Sequence, residues 1–237
     1  MNKGFRIAIG VCLAAAGAWA AAQSGTGTPQ EFEGQTEPLR VVHILDEPRH
    51  RTVHKGDNFR LLDVQINPGD TTLPHTHDSP ILYTFISNGQ GPLNGRLSSV
   101  TSYVDEPLTH RVNNPGPGLF RIIALAGFGP AIPDMNADLP QGISQPAELE
   151  NSWFRAWRLT LPAGSETGPI RHVNPAFAVQ VSSGTLTLTR EDGMSRELLA
   201  PGDWAAVTAA HSYRIVNTSD QAVSVVIKEA RQPGAGN

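Results

Sequence analysis

Two stretches of this chain repeat each other without a gap, and this repeat limits the fold more than any other feature. The first runs from Leu61 to Gly89 and the second from Ala156 to Gly184, at a constant offset of 95 residues. The matched turn residues are Gly69 with Gly164, Pro74 with Pro169, Pro80 with Pro175 and Gly89 with Gly184. In both copies, short β-rich runs alternate with glycine and proline turns. The pattern predicts two tandem copies of one all-β unit.

A second pair of segments extends the repeat toward the end of each copy. His110–Asn114 corresponds to Tyr213–Asn217 at an offset of 103 residues, and each segment precedes a turn and an apolar strand. Asp192-Gly193 lies between two alternating runs in the second copy, which predicts a hairpin because glycine accepts the positive φ of a tight turn. No long helical pattern competes with this all-β interpretation.

Composition and turn content set the expected domain boundaries. The 237 residues are 39% hydrophobic and 17% charged, as in a folded globular protein. The net charge of −4 and the lack of a Lys/Arg cluster argue against a nucleic-acid-binding protein. We expect barrels at residues 39–130 and 149–231. A flexible linker is predicted at 23–38, a Pro-rich linker at 131–148 and a tail at 232–237.

The first residues are typical of a secretory signal peptide rather than of a folded element. Lys3 and Arg6 precede an apolar run from Ile7 to Ala18, and small-x-small sites follow. The run is too short to span a bilayer. We therefore expect residues 1–22 to be removed, with cleavage after Ala20 or Ala22, and a periplasmic or secreted protein without a membrane anchor.

Three histidines are placed to bind a metal in the first copy. Because residues two apart on a strand point to the same face, His75 and His77 would present two imidazoles side by side. His110 would come from a strand that faces them across the barrel. Cys12 is the only cysteine and lies within the signal peptide, so thiolate ligands are not expected. Three neutral nitrogens suit one divalent ion, Fe, Mn, Zn, Ni or Cu.

These residues resemble the two motifs of the cupin family. The spacing Gly69-x5-His75-x-His77-x4-Leu82-x6-Gly89 is similar to the first motif, and Pro107-x2-His110-x3-Asn114 to the end of the second. Both motifs recur in the second copy. The resemblance implies two tandem jelly-roll barrels, that is, a bicupin. It does not fix the activity, because the family includes dioxygenases, isomerases, lyases and non-enzymatic binders.

The first copy departs from the family pattern at one ligand. Cupins usually carry a glutamate four or five residues after the second histidine of the first motif. Leu82 stands at that place here, after Ile81, and neither can bind a metal. We expect Leu82 to form an apolar wall of the site, and Leu82→Glu to restore the missing carboxylate. A dication held by neutral imidazoles would keep its full charge and favour anionic ligands.

The second copy is expected to bind no metal. Its four ligand places are Ile170, His172, Phe177 and Tyr213, of which only His172 could coordinate. A site built from His172, Tyr213 and His211 can be imagined, but a structural barrel that packs against the first or supports a homodimer is favoured. Ile170 and Phe177 could also line an apolar ligand pocket.

Several other histidines and arginines have no role fixed by the motifs. His43, His50 and His54 precede the first motif and are interpreted as exposed histidines. Arginines in or beside the strands could bind a carboxylate substrate from a barrel interior. The sequence does not say which of Arg96, Arg111, Arg121, Arg158 and Arg171 would do so.

Three functions remain open at this point. The first is a metal-dependent enzyme, a dioxygenase, isomerase or lyase acting on a small polar or anionic molecule. No catalytic acid or base is identified. The second is a non-catalytic periplasmic protein that binds a small ligand. The third is a structural protein whose histidines are relics.

Overall fold

The computed structural model describes residues 40–232, in which sixteen β-strands and two short 3-10 helices form. The predicted signal peptide, the 23–38 linker and residues 233–237 of the tail lie outside the described residues. No helix in the described range is long and apolar enough to cross a membrane. The strands are β1 Val42–His43, β2 His50–Lys55, β3 Phe59–Ile66, β4 His75–His77, β5 Ile81–Asn88, β6 Pro92–Val100, β7 Leu108–His110, β8 Phe120–Gly127, β9 Leu149–Glu150, β10 Phe154–Leu161, β11 Ala176–Gln180, β12 Leu186–Arg190, β13 Ser195–Leu198, β14 Trp204–Val207, β15 Tyr213–Asn217 and β16 Val223–Ala230. The 3-10 helices are Ile44–Asp46 and Ser102–Val104.

The first barrel is built from two sheets that face each other. A five-stranded sheet has the order β2-β3-β8-β5-β6, and a three-stranded sheet has the order β1-β4-β7. β4 and β7 pair antiparallel, with His75 directly opposite His110. The face of the larger sheet that is turned into the barrel is apolar and includes Leu62, Ile66 and Ile122. The strand order therefore brings the two predicted ligand segments together as neighbours in one sheet. The prediction that His110 faces the other two histidines from across the barrel is wrong.

The second barrel repeats this arrangement. Its sheets have the orders β14-β11-β16-β10-β9 and β13-β12-β15. β10 matches β3 at the offset of 95 residues and β16 matches β8 at the offset of 103 residues. The turn after β3 and the matching turn after β10 each contain a glycine with positive φ, 75° at Gly69 and 67° at Gly164. The predicted all-β fold of two tandem barrels is confirmed.

The predicted hairpin of the second copy is also confirmed, and the two copies share a further asparagine contact. β12 and β13 form an antiparallel hairpin around Gly193, whose φ is 85°. Asn114 and Asn217, which end the second motif of each copy, both donate side-chain hydrogen bonds to backbone carbonyls. Asn114 contacts the carbonyls of Ile66 and Gly118, and Asn217 those of Leu161, Pro162 and Gln221. Each asparagine thus satisfies buried backbone acceptors at one end of its barrel.

The two five-stranded sheets pack against each other through a second apolar face. This interface cluster joins Phe59, Leu61, Leu82, Ile86, Ile123 and Leu125 of the first barrel with Phe154, Ala156, Phe177, Val179, Val181, Val226 and Ala230 of the second. Lys228 is fully buried there, and its Nζ donates to the Ile123 carbonyl at 2.7 Å and to Thr84 Oγ1 at 3.3 Å. Burial lowers the pKa of Lys228 well below its usual value. Because both faces of each large sheet are buried, its central strands have apolar residues at most positions and do not alternate between polar and apolar.

The segment between the barrels has little regular structure but is held by two buried arginines. Arg155 donates to the carbonyls of Met135 and Ala137 at 2.8 and 2.9 Å. Arg231 donates to the Asp134 carbonyl at 2.6 Å, and Asp138 accepts from both guanidinium groups at 3.0 to 3.1 Å. These bonds pair two buried charges and tie the segment to the second barrel.

Candidate metal centre and cavity

The structure brings His75, His77 and His110 together inside the first barrel. Their ring centroids are 4.6 to 5.2 Å apart, and one ligand nitrogen from each lies within 4.8 Å of the others. All three side chains are buried. On the outer side of the same strand pair, Thr76 and Thr109 hydroxyls contact each other at 2.8 Å. Alternation along β4 thus separates the histidine face from the solvent face.

Hydrogen bonding leaves the nitrogens of this cluster ready to accept a cation. His75 Nδ1–H donates to the Leu73 carbonyl at 2.8 Å, which places the lone pair on Nε2. His75 Nε2 is buried and has no hydrogen-bond partner. His77 Nε2 and His110 Nε2 face each other at 3.1 Å. A backbone carbonyl that fixes the second nitrogen is the usual support of a metal-bound histidine, so the donor set fits a divalent metal.

Burial keeps these imidazoles neutral at ordinary pH. It lowers the pKa of His77 to about 2, with further contributions from His110 and His75. It lowers the pKa of His110 to about 4, and the pKa of His75 also falls below its usual value. Neutral imidazole is the form that coordinates a metal, so no proton must be displaced from the site near neutral pH.

A fourth imidazole, which the sequence analysis placed among exposed residues, lies beside the three. His50 on β2 is 5% exposed, and its ring meets that of His75 edge-on at 4.5 Å between centroids and that of His77 at 6.3 Å. Its Nδ1 is buried without a hydrogen-bond partner. The interpretation of His50 as exposed is wrong, because β2 pairs with β3 and turns this side chain into the barrel. The only hint in the sequence is the short β-prone run around Thr52 and Val53 that follows it.

The other two histidines of that segment lie outside the cavity. His43 Nε2 contacts Asp78 Oδ1 at 3.0 Å near the surface. His54 stacks on Phe59 and meets Phe177 edge-on at the interface between the barrels. Neither ring is part of the ligand cluster.

The acid sensitivity of the metal-free protein follows from these neutral histidines. Burial lowers the pKa of His50 to about 3, compared with about 6.5 for an unfolded histidine. Between about pH 6.5 and 4 the unfolded chain therefore binds protons that the folded chain does not, and stability falls as the pH is lowered. We expect a slope of up to about 1.4 kcal/mol per pH unit for each such histidine in urea unfolding. A His50→Gln variant should show a shallower slope, and a wild-type stability that is flat across this window would contradict the expectation.

Leu82 does not form a wall of the site, so that prediction is wrong. Leu82 is fully buried in the interface cluster, and its neighbours Ile81 and Tyr83 face the barrel interior. Tyr83 Oη lies 3.5 Å from His77 Nδ1, and burial raises the pKa of this phenol well above its usual value. The alternation between Leu82 and Tyr83 is as expected, but the site is on the tyrosine side.

A cavity of about 390 Å³ adjoins the histidines within the first barrel. Its volume falls in the range of small-molecule pockets. Its lining is mostly aliphatic and aromatic. The polar side chains in it are His50, His75, His77, His110, Tyr83, Tyr103, Ser98 and Arg96.

The second barrel has no comparable donor set. The cluster of the first barrel is the only group of three or more metal-binding side chains within residues 40–232. His172 is buried between Tyr213 Oη, 2.9 Å from its Nε2, and the Glu229 carboxylate, which contacts its Nδ1. Ile170 points into the packed core, opposite Tyr213.

Two suggestions about the second barrel are wrong. Phe177 belongs to the interface cluster, so it does not line an internal pocket with Ile170. His211 lies near the surface with Glu191 and Asp192, at 3.4 and 3.5 Å, and so does not pair with His172. The alternation on β11 puts Phe177 outside, as the alternation on β5 does with Leu82.

Several solved structures are similar to this chain. The chain is similar to AerE from Microcystis aeruginosa, with a TM-score of 0.51 and 12% identity over 78% of this chain and 99% of that one. A cupin 2 conserved barrel domain protein from Leptotrichia buccalis gives a TM-score of 0.46 at 8% identity, over 76% and 88% of the two chains. A cupin domain from Bordetella pertussis Tohama I gives 0.33 at 22% identity, over 40% and 94%. Neither a family model nor a curated protein matches the sequence.

The strand order and the site together define the class of protein. The chain has the cupin fold in two tandem barrels, and the first barrel contains a three-histidine cluster beside a cavity. The similarities to solved structures concern this fold and carry no information about substrate.

Proposed function

We propose that this chain is an exported metal-binding bicupin. In this proposal one divalent metal binds at His75, His77 and His110, and a small molecule binds in the adjoining cavity. The observation that carries the proposal is the convergence of three buried imidazoles with ligand nitrogens within 4.8 Å of one another. The unpartnered His75 Nε2 supports it, because a buried nitrogen without a partner costs about 1–3 kcal/mol unless a ligand occupies it.

The residues of the first barrel suit a metal-dependent reaction on this molecule. A divalent metal would supply Lewis-acid polarisation, or oxygen activation if it is iron. The three imidazoles would hold it without adding negative charge. The Tyr83 hydroxyl would orient the His77 ring through its contact with Nδ1. The apolar lining would exclude water from the bound molecule.

A non-catalytic ligand-binding protein is the second candidate. It is favoured by one specific feature: no aspartate or glutamate is among the described residues that line the cavity. A general acid or base would then have to come from a tyrosine or from His50. The two functions differ in whether a bound molecule is converted.

Export belongs to the proposal as well. It rests on Lys3, Arg6 and the apolar run that follows, all outside the described residues. The mature protein would begin at Ala21 or Gln23 in a periplasmic or extracellular space.

The test begins with protein purified from its native compartment. We expect elemental analysis to give one divalent metal per chain, and N-terminal sequencing to begin at Ala21 or Gln23. Turnover of a substrate found by screening should be lost in His110→Ala and retained in His211→Ala. Protein that contains no divalent metal and takes none up would refute the metal site. A bound molecule that is recovered unchanged from metal-loaded protein would favour the binding function.

A further inference from the structure

We propose that the cavity of the first barrel binds a small carboxylic acid with an apolar body, and that Arg96 at the cavity opening binds its carboxylate. The opposite end of the molecule would lie at the three histidines. The histidine end rests on the proposed function, whereas the Arg96 end does not require a metal.

The charges of the cavity are the first argument. Arg96 is the single Lys, Arg, Asp or Glu among the described residues that line it. The cavity therefore carries one uncompensated positive charge, and a divalent metal would add two more. A ligand with negative charge is stabilised in such a space, and a cationic ligand is repelled.

The state of Arg96 is the second argument. Many arginines of this protein are occupied, such as Arg49 with Asp70 and Arg158 with Glu148. Within residues 40–232, in contrast, Arg96 forms no salt bridge. It is also the one exposed residue among those described in the lining, which places it at the opening. A free guanidinium at the mouth of an apolar cavity is suited to a carboxylate, which it binds through two parallel hydrogen bonds.

The register of β5 and β6 gives the distance between the two ends. Ser98 lies opposite Tyr83, the residue whose hydroxyl is 3.5 Å from His77. Arg96 lies opposite Phe85, two residues further along β6 and away from the histidines. Two residues of an extended strand span about 7 Å.

The cavity side chains around Arg96 are apolar. Phe85 lies opposite Arg96 on β6 and opposite Ile122 on β8, and Phe85, Ile122 and Phe120 all line the cavity. Aliphatic or aromatic ligand surface buried against them is removed from water, which favours binding. The ligand that satisfies both ends therefore has a carboxylate, an apolar body and a second polar group.

The test uses metal-free protein, so that its result does not depend on the metal site. Hexanoate and its uncharged analogue hexanamide are titrated calorimetrically into wild-type protein and into Arg96→Gln. We expect wild-type protein to bind hexanoate at least about tenfold more tightly than hexanamide, since hydrogen bonds between two charged groups are stronger than those to a neutral amide. Arg96→Gln should remove this preference, and Arg96→Lys should retain part of it. Arg171→Gln, at an exposed arginine of the second barrel, is the matched control and should behave as wild type.

Three outcomes would overturn the proposal. They are equal binding of the acid and the amide to wild-type protein, a preference that survives in Arg96→Gln, and no binding of hexanoate at all. Metal uptake is measured separately on the same variants. A carboxylate preference without metal uptake would refute the proposed function and leave this inference standing. Metal uptake without the carboxylate preference would refute this inference and leave the proposed metal site standing.

Discussion

His77→Ala should abolish tight metal binding. Removal of this imidazole leaves His75 and His110, and two ligands hold a divalent ion far more weakly than three. Loss of a residue that merely supports a ligand typically costs 10–100-fold in affinity, so we expect a loss of more than about 100-fold here. Titration with Zn²⁺ or Co²⁺ against a chromophoric chelator measures this change directly.

The control for this variant is His211→Ala, which removes a surface imidazole of the second barrel. Its metal affinity should equal that of wild-type protein. Circular dichroism and thermal unfolding should show that His77→Ala is folded. Outside the histidine cluster, His77 has a 3.5 Å contact with Tyr83 Oη and a ring contact with Tyr103 at 5.2 Å, and neither is a strong hydrogen bond. Equal affinity of His77→Ala and wild-type protein would show that the metal binds elsewhere.

Leu82→Glu should destabilise the fold without tightening metal binding. The carboxylate would enter the interface cluster on the same face of β5 as Thr84, near the buried Lys228. Burial favours the uncharged form of this lysine, so the new carboxylate would meet no fixed positive charge there. An uncompensated buried charge costs about 3–5 kcal/mol, and urea unfolding should show a decrease of this size. Leu82→Met keeps the volume and apolar character, so it should cost less than about 1.5 kcal/mol.

A carboxylate reaches the histidines only from the other side of β5. In Tyr83→Glu the new side chain would start on the cavity face, beside His77. Its metal affinity is therefore the comparison for Leu82→Glu. A Leu82→Glu protein of wild-type stability and higher metal affinity would mean that β5 turns its opposite face to the site.

The ligand histidines could be predicted because local geometry determines them. His75 and His77 share a face by strand alternation alone, and the register of β4 with β7 then places His110 opposite His75. This register was not predicted, because His110 was expected on a strand across the barrel, whereas β7 is the neighbour of β4 in one sheet. The face shared by His75 and His77 is a local property of one strand. The pairing of the two ligand strands recurs in both barrels, with Ile170 opposite Tyr213 in the second.

The orientation of β5 could not be predicted in the same way. Ile81, Leu82 and Ile86 are all buried, two on one face and one on the other. Alternation predicts which residues share a face, but it identifies the inward face only when the other face is polar. Here both faces are apolar because a second barrel covers the outer one. The missing information is the packing of one barrel on the other.

His50 was missed because its position depends on a distant pairing. β2 reaches the cavity only through its antiparallel register with β3, which is interrupted by a bulge between Thr52 and His54. A bulge shifts side chains between faces, so periodicity in the sequence is lost at this point. The unpaired nitrogen of His50 becomes meaningful only when the neighbouring imidazoles are seen.

The packing of the two large sheets also constrains the evolution of this chain. A duplicated copy that has lost its metal ligands would ordinarily be free to disappear. Deletion of β9–β16 would, however, leave Leu61, Leu82 and Leu125 facing water, and Tyr83 is bonded directly to one of these residues. Selection on the second barrel then acts on its shape rather than on its chemistry. The second copy forms the outer wall of the strands that carry the site.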